Sequence, residues 1–221
     1  MEKVNYIFIV GTEGSGQRYL KQIIKKANDV QYSQTHHVVS SENNKLREWL
    51  SKCYSSESVG NKRKKECYEK LERIVVSFPQ PKIFIEDRSF PFSTYRDISQ
   101  QWNIVEIFDM LKNNMNIKFI FIRRNFFDTV HAYKNLDGSI ENHISKIKEN
   151  ARLIEHMKKN IPAESQITVN YETLHYSLDN IGNFIGVSNE NMRDAYKKCY
   201  RPPTKHISDE DLNAINLSLE Y

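Results

Sequence analysis

The sequence predicts an α/β fold in which a mostly parallel β-sheet is covered by helices on both faces. Short segments rich in β-branched and aromatic residues recur along the chain, and segments with the periodicity of amphipathic helices separate them. A glycine-rich segment also joins the first apolar segment directly to the first helical one. Because 221 residues suit a single hydrophobic core, we expect one domain over residues 1–221.

The N-terminal segment predicts a strand, a glycine loop and a helix in direct succession. Val4–Val10 is an apolar run that ends at the loop Gly11-Thr-Glu-Gly-Ser-Gly16. Four apolar residues then recur at helical spacing and predict a helix over residues 17–28, namely Leu20, Ile23, Ile24 and Ala27.

The rest of the chain continues the alternation. Strands are predicted at 30–40, 82–85, 117–122 and 166–170, and helices at 42–77 (two of them), 104–111, 128–134 and 140–160. The run 117–122 is the most apolar, so we expect it at the centre of the sheet. Ligands of such sheets bind at the carboxyl ends of the strands, which makes the residues that follow each strand candidate site residues.

Composition and charge exclude several classes of protein. The formal charge is 32 − 28 = +4, which favours an anionic ligand but is too small for a nucleic-acid-binding surface. The longest apolar run near the N-terminus is too short for a membrane span or a signal peptide, so we expect a cytoplasmic protein. Three scattered cysteines without CxxC spacing predict neither a disulfide framework nor a zinc site.

The glycine loop predicts an anion site. A loop between a buried strand and a helix directs backbone N–H groups, and the positive end of the helix dipole, at one point. The glycines permit the required backbone angles, and Ser15 offers a hydroxyl donor. The candidate residues of this site are Gly11, Thr12, Glu13, Gly14, Ser15, Gly16 and Gln17.

The residues after Gly16 argue against a magnesium-dependent kinase or NTPase. A Walker A loop needs Lys and Ser or Thr at the positions that Gln17 and Arg18 occupy, so both the phosphate-binding cation and the metal ligand are missing. The spacing of Gly11, Gly14 and Gly16 also differs from the Rossmann GxGxxG pattern. A transferase that needs no metal remains compatible with the loop.

Two segments resemble the motifs of sulfotransferases that use 3′-phosphoadenosine 5′-phosphosulfate (PAPS). The stretch 8–20 is similar to that family's 5′-phosphosulfate loop, and 117–133 is similar to its 3′-phosphate motif, in which Arg-Asn follows a core strand. Softer similarity extends over 167–174 and 181–187, so the resemblance spans nearly the whole chain. It implies a P-loop NTPase-like sulfotransferase architecture, with PAPS as co-substrate and adenosine 3′,5′-bisphosphate as product.

The resemblance assigns the phosphate groups to particular residues. It implies that the glycine loop holds the 5′-phosphosulfate and that Arg124 holds the 3′-phosphate, to which a guanidinium presents a planar fork of donors. Arg201 and Lys205 are further candidates, because family members often carry a basic segment there. For Arg123 we expect a surface ion pair instead.

The chain departs from the family pattern within both motifs. Gly14 replaces the basic residue of the loop, and Arg18 or alternatively Lys21 is expected to supply its charge. Ala132 replaces the serine of the 3′-phosphate motif, with His131 as a substitute.

Sulfuryl transfer needs a base to take the proton of the acceptor. Glu86 and Asp87 follow the predicted strand 82–85 and are our candidates, with Glu86 preferred and Arg88 as a cation at the transfer site. His36 and His37, within the segment 30–40 that is expected to hold another strand, are alternatives, with His37 included because histidine titrates in the useful range.

The sequence thus predicts a metal-independent sulfotransferase that acts on a hydroxyl or amine of a small-molecule or carbohydrate acceptor. Two alternatives stay open. One is a small-molecule or nucleotide kinase, and the other is an inactive relative that binds a nucleotide without turnover.

Overall fold

The computed structural model describes residues 4–31, 65–66, 69, 73, 83–90, 104–131 and 140–200. Strands are β1 (Val4–Thr12), β2 (Ile83–Phe90), β3 (Met115–Arg123) and β4 (Gln166–Asn170). The helices, numbered over these residues, are α1 (Gln17–Gln31), α2 (Ile104–Leu111), α3 (Phe126–His131), α4 (Ile140–Lys158), α5 (Leu174–Ile185) and α6 (Asn189–Cys199). A 3-10 turn at Ala163–Ser165 precedes β4.

The four strands form one parallel sheet in the order β2-β1-β3-β4. β1 and β3 are the inner strands, which agrees with their almost continuous burial and with the prediction that 117–122 lies at the centre. The carboxyl ends of β1 and β3 lie side by side, because Val10 pairs with Phe121. The glycine loop and Arg124 therefore leave the sheet at the same edge.

Alternating side chains of the inner strands build two separate core layers. Tyr6, Phe8, Phe119 and Phe121 pack with α2 and α4 on one face, while Ile7, Ile9, Ile120 and Ile122 pack with α1, α5 and α6 on the other. Successive residues of a strand point to opposite faces, so an apolar run of this kind requires cover on both sides. This arrangement confirms the predicted α/β fold.

Most predicted elements have the expected position, and their bounds differ by a few residues. The helix at 104–111 and the strand at 166–170 match the structure at both ends. α1 extends to Gln31 and so includes the first two residues of the strand expected at 30–40; the remainder of that strand lies outside the described residues, as do most of the helices expected at 42–77. Among the described residues, no helix is long and apolar enough to cross a membrane.

Candidate phosphate site at the carboxyl edge of the sheet

The loop between β1 and α1 adopts the conformation expected of an anion site. Gly14 and Gly16 have φ angles of 85° and 98°, in the left-handed region that glycine enters without steric cost. α1 begins at Gln17, and its first intrahelical bond runs from the Leu20 N–H to the Gly16 carbonyl at 3.1 Å. The N–H groups of the preceding turn have no partner within the helix and are presented at its positive end.

Two side chains of the loop bind the loop itself. The Ser15 hydroxyl and the Gln17 amide each donate to the Thr12 carbonyl oxygen at 2.8 Å, and the Ser15 N–H reaches the same oxygen at 3.1 Å. Both side chains are buried. The Ser15 hydroxyl, which we expected to be offered to an anion, thus donates to Thr12 instead.

Arg124, one residue beyond β3, lies against the glycine loop. Its Nη1 donates to the Gly14 carbonyl oxygen at 3.1 Å, and its guanidinium carbon lies 4.8 Å from the centroid of the Tyr171 ring. Its Nε is buried and has no hydrogen-bond partner among the described residues. A guanidinium has five N–H donors, so this arrangement leaves donors for a phosphate.

Arg123, the preceding residue, has a different environment. Its Nη2 forms an ion pair with the Glu155 carboxylate of α4 at 2.5 Å, as expected for a surface ion pair. Partial burial opposes ionisation of Glu155, but the hydrogen bond and the charge of Arg123 outweigh it, so the pKa of Glu155 lies below its usual value. Two adjacent arginines therefore differ in their contacts: Arg123 joins β3 to α4, and Arg124 faces the loop.

Tyr171 directly follows β4 and contacts both β3 and the glycine loop. Its N–H continues the ladder between β3 and β4 by donating to the Arg123 carbonyl at 2.8 Å. Its ring lies so close to Gly16 that a Cβ atom there would be 2.3 Å from the Tyr171 Cδ2. Gly16 is thus required both for its φ angle and for this contact.

Glu172 adds a second link at the same junction. Its carboxylate accepts from the Asn125 N–H at 2.7 Å. The Asn125 side chain in turn accepts from the Phe127 N–H at 2.9 Å and caps α3, and the Asn125 carbonyl accepts from the buried Thr129 hydroxyl at 2.9 Å.

A tyrosine cluster borders the loop on the side of α6. Tyr19 makes edge contacts with Tyr171 and Tyr196, at centroid distances of 5.9 and 6.3 Å. Burial, followed by the charges that Tyr196 and Tyr171 would carry, raises the pKa of Tyr19 to about 12. The Tyr19 hydroxyl donates to Tyr196, whose own pKa burial raises. Both hydroxyls are therefore neutral donors and acceptors at physiological pH.

The position expected for the acid pair is corrected by the structure. β2 continues to Phe90, so Glu86, Asp87 and Arg88 lie inside the strand, opposite Phe8, Ile9 and Val10, and do not follow it. The residues of β2 at the carboxyl edge are Ser89 and Phe90, opposite Gly11 and Thr12. Pairing with β1 over eight residues outweighs the low strand propensity of the charged segment.

The remaining predicted site residues fall into two groups. Arg18 is exposed in the first turn of α1, beside the loop, and Glu13 is partly exposed within it. The others lie outside the described residues and stay predictions: His36, His37, Ala132, Arg201 and Lys205. Among the described residues, no group of three or more His, Cys, Asp or Glu side chains is arranged to hold a metal ion.

Comparison with known proteins identifies the fold. Neither a protein family model nor a curated protein matches the chain. Among solved structures, the sulfotransferase domain of the Synechococcus PCC 7002 olefin synthase is similar, with a TM-score of 0.51 and 14% identity over 98% of this chain and 94% of that domain. The chain has the P-loop-like fold of a sulfotransferase domain.

Two further solved structures are more distant. The sulfotransferase domain from the curacin biosynthetic pathway has a TM-score of 0.47 and 11% identity, over 100% of this chain and 99% of that domain. Mouse sulfotransferase SULT7A1, complexed with PAP, has a TM-score of 0.39 and 15% identity, over 89% of this chain and 64% of that protein.

Sequence reasoning did not assign a role to Tyr171 or Glu172. Both lie directly after β4, at the edge where Arg124 follows β3. The signal that could have found them is this shared edge, since residues that follow neighbouring parallel strands lie close together.

Proposed function

We propose that the protein is a PAPS-dependent sulfotransferase that works without a metal ion. The loop from Gly11 to Gln17, with Arg18 beside it, binds the 5′-phosphosulfate, and Arg124 binds the 3′-phosphate. The acceptor is a hydroxyl or amine of a small molecule or carbohydrate. We also propose that residues 1–221 form one domain and that the protein is cytoplasmic.

The observation that carries the proposal is the contact of Arg124 with the glycine loop. Arg124 is 110 residues from Gly14 in sequence, yet its Nη1 donates to the Gly14 carbonyl. One edge of the sheet thus combines the backbone donors of a helix start with a guanidinium, which matches a ligand that carries two separate anionic groups. Adenosine 3′,5′-bisphosphate is such a ligand, and the sulfotransferase fold supports the proposal.

The chemistry follows from this placement. The acceptor oxygen or nitrogen attacks the sulfur in line, while the bond from sulfur to the bridging phosphate oxygen breaks. Negative charge then develops on the departing bisphosphate, next to the loop N–H groups. Donors that are already oriented stabilise that charge without reorganisation, and removal of one such donor typically costs roughly 10²–10³ in rate.

The acceptor proton goes to a base supplied by the protein. Glu86 remains our first candidate, with Asp87 and His37 as alternatives and Arg88 as a cation for the transferring group. All three β2 residues precede the carboxyl edge, with Arg88 closest to it.

A kinase is the less favoured alternative. The residue at the Walker lysine position is Gln17, and its amide donates to Thr12 within the loop. A nucleoside triphosphate would therefore lack the lysine that contacts its β- and γ-phosphates.

An inactive nucleotide-binding relative is the second alternative. It is suggested by Gly14, which supplies no side-chain cation at the loop position where the resemblance expects a basic residue. Turnover of PAPS separates the two cases: release of adenosine 3′,5′-bisphosphate in the presence of a panel of hydroxyl and amine acceptors supports an enzyme. Tight binding of the bisphosphate with no turnover on any acceptor supports the inactive relative.

A thermal-shift comparison tests the nucleotide class first. Adenosine 3′,5′-bisphosphate at about 100 times its Kd stabilises the folded state by roughly 2.7 kcal/mol. ATP with Mg²⁺ should give a smaller shift at the same concentration. A larger shift with ATP and Mg²⁺ would favour the kinase.

A further inference from the structure

We infer that Glu172 is a positioning residue, which holds the turn that carries Arg124 in register with the glycine loop. This inference rests on the proposed function and extends it to a residue outside the phosphate-binding motifs. Its basis is the junction between the ends of β3 and β4, where the Glu172 carboxylate accepts the Asn125 N–H at 2.7 Å.

The turn after β3 is short, and Asn125 within it makes hydrogen bonds both forward into α3 and across to Glu172. β3 ends at Arg123 and α3 begins at Phe126, so only Arg124 and Asn125 lie between them. The Asn125 side chain and carbonyl both point forward into α3, where they bind Phe127 and Thr129. The bond from its N–H to Glu172 instead reaches the turn that follows β4.

Tyr171 and Glu172 hold the turn from two sides. The Tyr171 N–H binds the Arg123 carbonyl at 2.8 Å, one residue before Arg124, and Glu172 binds the Asn125 N–H, one residue after it. The backbone of Arg124 therefore lies between two hydrogen bonds, which join its neighbours to Tyr171 and Glu172, the two residues that directly follow β4. The Tyr171 ring then supports the guanidinium itself.

The geometry predicts that hydrogen-bond acceptance by Glu172 matters more than its charge. Glu172 is largely exposed, so solvent screens its charge, and a carboxylate beside an anion site gives no electrostatic benefit to the ligand. Glutamine keeps an acceptor oxygen at the same reach, whereas alanine removes it. Glu172→Gln and Glu172→Ala thus separate the hydrogen bond from the charge.

The test measures two quantities for the wild type and both variants: the exchange rate of the Asn125 amide hydrogen and the Kd for adenosine 3′,5′-bisphosphate. We expect Glu172→Ala to lose protection of the Asn125 amide and to weaken binding about three- to tenfold, the usual range for one hydrogen bond. Glu172→Gln should keep both close to wild type. Binding of adenosine 5′-phosphosulfate, which lacks the 3′-phosphate, should weaken less.

The matched control is Glu164→Ala, which removes the same charge from the 3-10 turn at the opposite end of β4. It should leave both quantities unchanged. An unprotected Asn125 amide in the wild type, or loss of protection in Glu172→Ala without weaker binding, would overturn the positioning role. Failure of the wild type to bind the bisphosphate would contradict the proposed function instead, and amide exchange would still decide whether Glu172 holds the turn.

Discussion

The Nη1 atom of Arg124 donates to the Gly14 carbonyl oxygen at 3.1 Å, although 110 residues separate the two in sequence. The contact arises because β1 and β3 are adjacent parallel strands, so the residues that follow them lie at one edge of the sheet. It joins the two segments that resemble the 5′-phosphosulfate loop and the 3′-phosphate motif of sulfotransferases.

Arg124→Ala should weaken binding of adenosine 3′,5′-bisphosphate roughly 10- to 150-fold. Loss of a charge-assisted hydrogen bond typically costs about 1.5–3 kcal/mol. Adenosine 5′-phosphosulfate should lose less affinity, because it lacks the 3′-phosphate. Titration calorimetry with both nucleotides measures the difference.

The neighbouring arginine provides the control for that variant. Arg123→Ala removes the same charge from the adjacent residue and breaks its ion pair with Glu155, so nucleotide affinity should stay within about twofold of wild type, since exposed ion pairs contribute little. Equal weakening of both nucleotides by Arg124→Ala would remove this residue from the 3′-phosphate site.

Gly16→Ala should destabilise the protein and impair nucleotide binding together. The alanine would have to adopt a φ of 98°, and its Cβ would lie 2.3 Å from the Tyr171 ring. We expect a loss of more than about 1 kcal/mol in the free energy of unfolding, since backbone strain alone costs about that much. Urea denaturation measures it.

Gly186→Ala separates strain from the steric clash. Gly186 has a φ of 78° at the end of α5, and nothing lies within 4 Å of the Cβ position. This variant should therefore lose only the free energy of unfolding that backbone strain costs, and its nucleotide binding should stay normal. A Gly16→Ala variant as stable as Gly186→Ala would show that Tyr171 does not restrict the loop.

Tyr19→Phe should reduce the sensitivity of the fold to alkaline pH. The pKa of Tyr19 is raised to about 12 in the folded protein, above the usual value of about 10 in the unfolded chain. Between these values the unfolded state releases the proton first, so stability falls as the pH rises through this window. Urea unfolding of both proteins across the window, with pH 7 as reference, should show a smaller loss for the phenylalanine variant. An equal loss of unfolding free energy in both proteins would contradict the raised pKa of Tyr19.

Glu86→Gln should lower kcat roughly 10²- to 10⁴-fold with unchanged donor affinity, if Glu86 is the base, because general-base catalysis typically contributes that much. Asp87→Asn and His37→Asn are the comparison variants. Rate measurements with an acceptor found in the turnover screen decide among them. Near-normal turnover of Glu86→Gln, with a collapse in either comparison variant, would reassign the base.

Much of the fold could be predicted, because a parallel sheet covered on both faces requires apolar strands that stand out from their surroundings. The apolar segments 117–122 and 166–170 predict β3 and β4 in this way. The end of β2 was placed too early because Glu86, Asp87 and Arg88 look like the end of a strand, and only pairing with β1 shows otherwise. Helices α5 and α6 were not predicted as such, although Gly186 as C-cap and Ser188 as N-cap mark the boundary between them.

The candidate site was predicted where local sequence determines local geometry. The glycine loop follows from residue types alone, since φ angles such as those of Gly14 and Gly16 favour glycine. The environment of Tyr171 and Glu172 depends on the order of the strands, which the sequence pattern did not specify. The contacts of Ser15 and Gln17 with Thr12 depend in turn on the closure of the loop.

The most direct test of the central claim is titration calorimetry with adenosine 3′,5′-bisphosphate, in the presence and absence of EDTA. In the proposed site the ligand contacts backbone N–H groups of the loop, Arg18 and Arg124, and none of these requires a metal ion. The account predicts binding with the same affinity under both conditions. Binding that disappears on chelation, or binding of ATP with Mg²⁺ in its place, would contradict it.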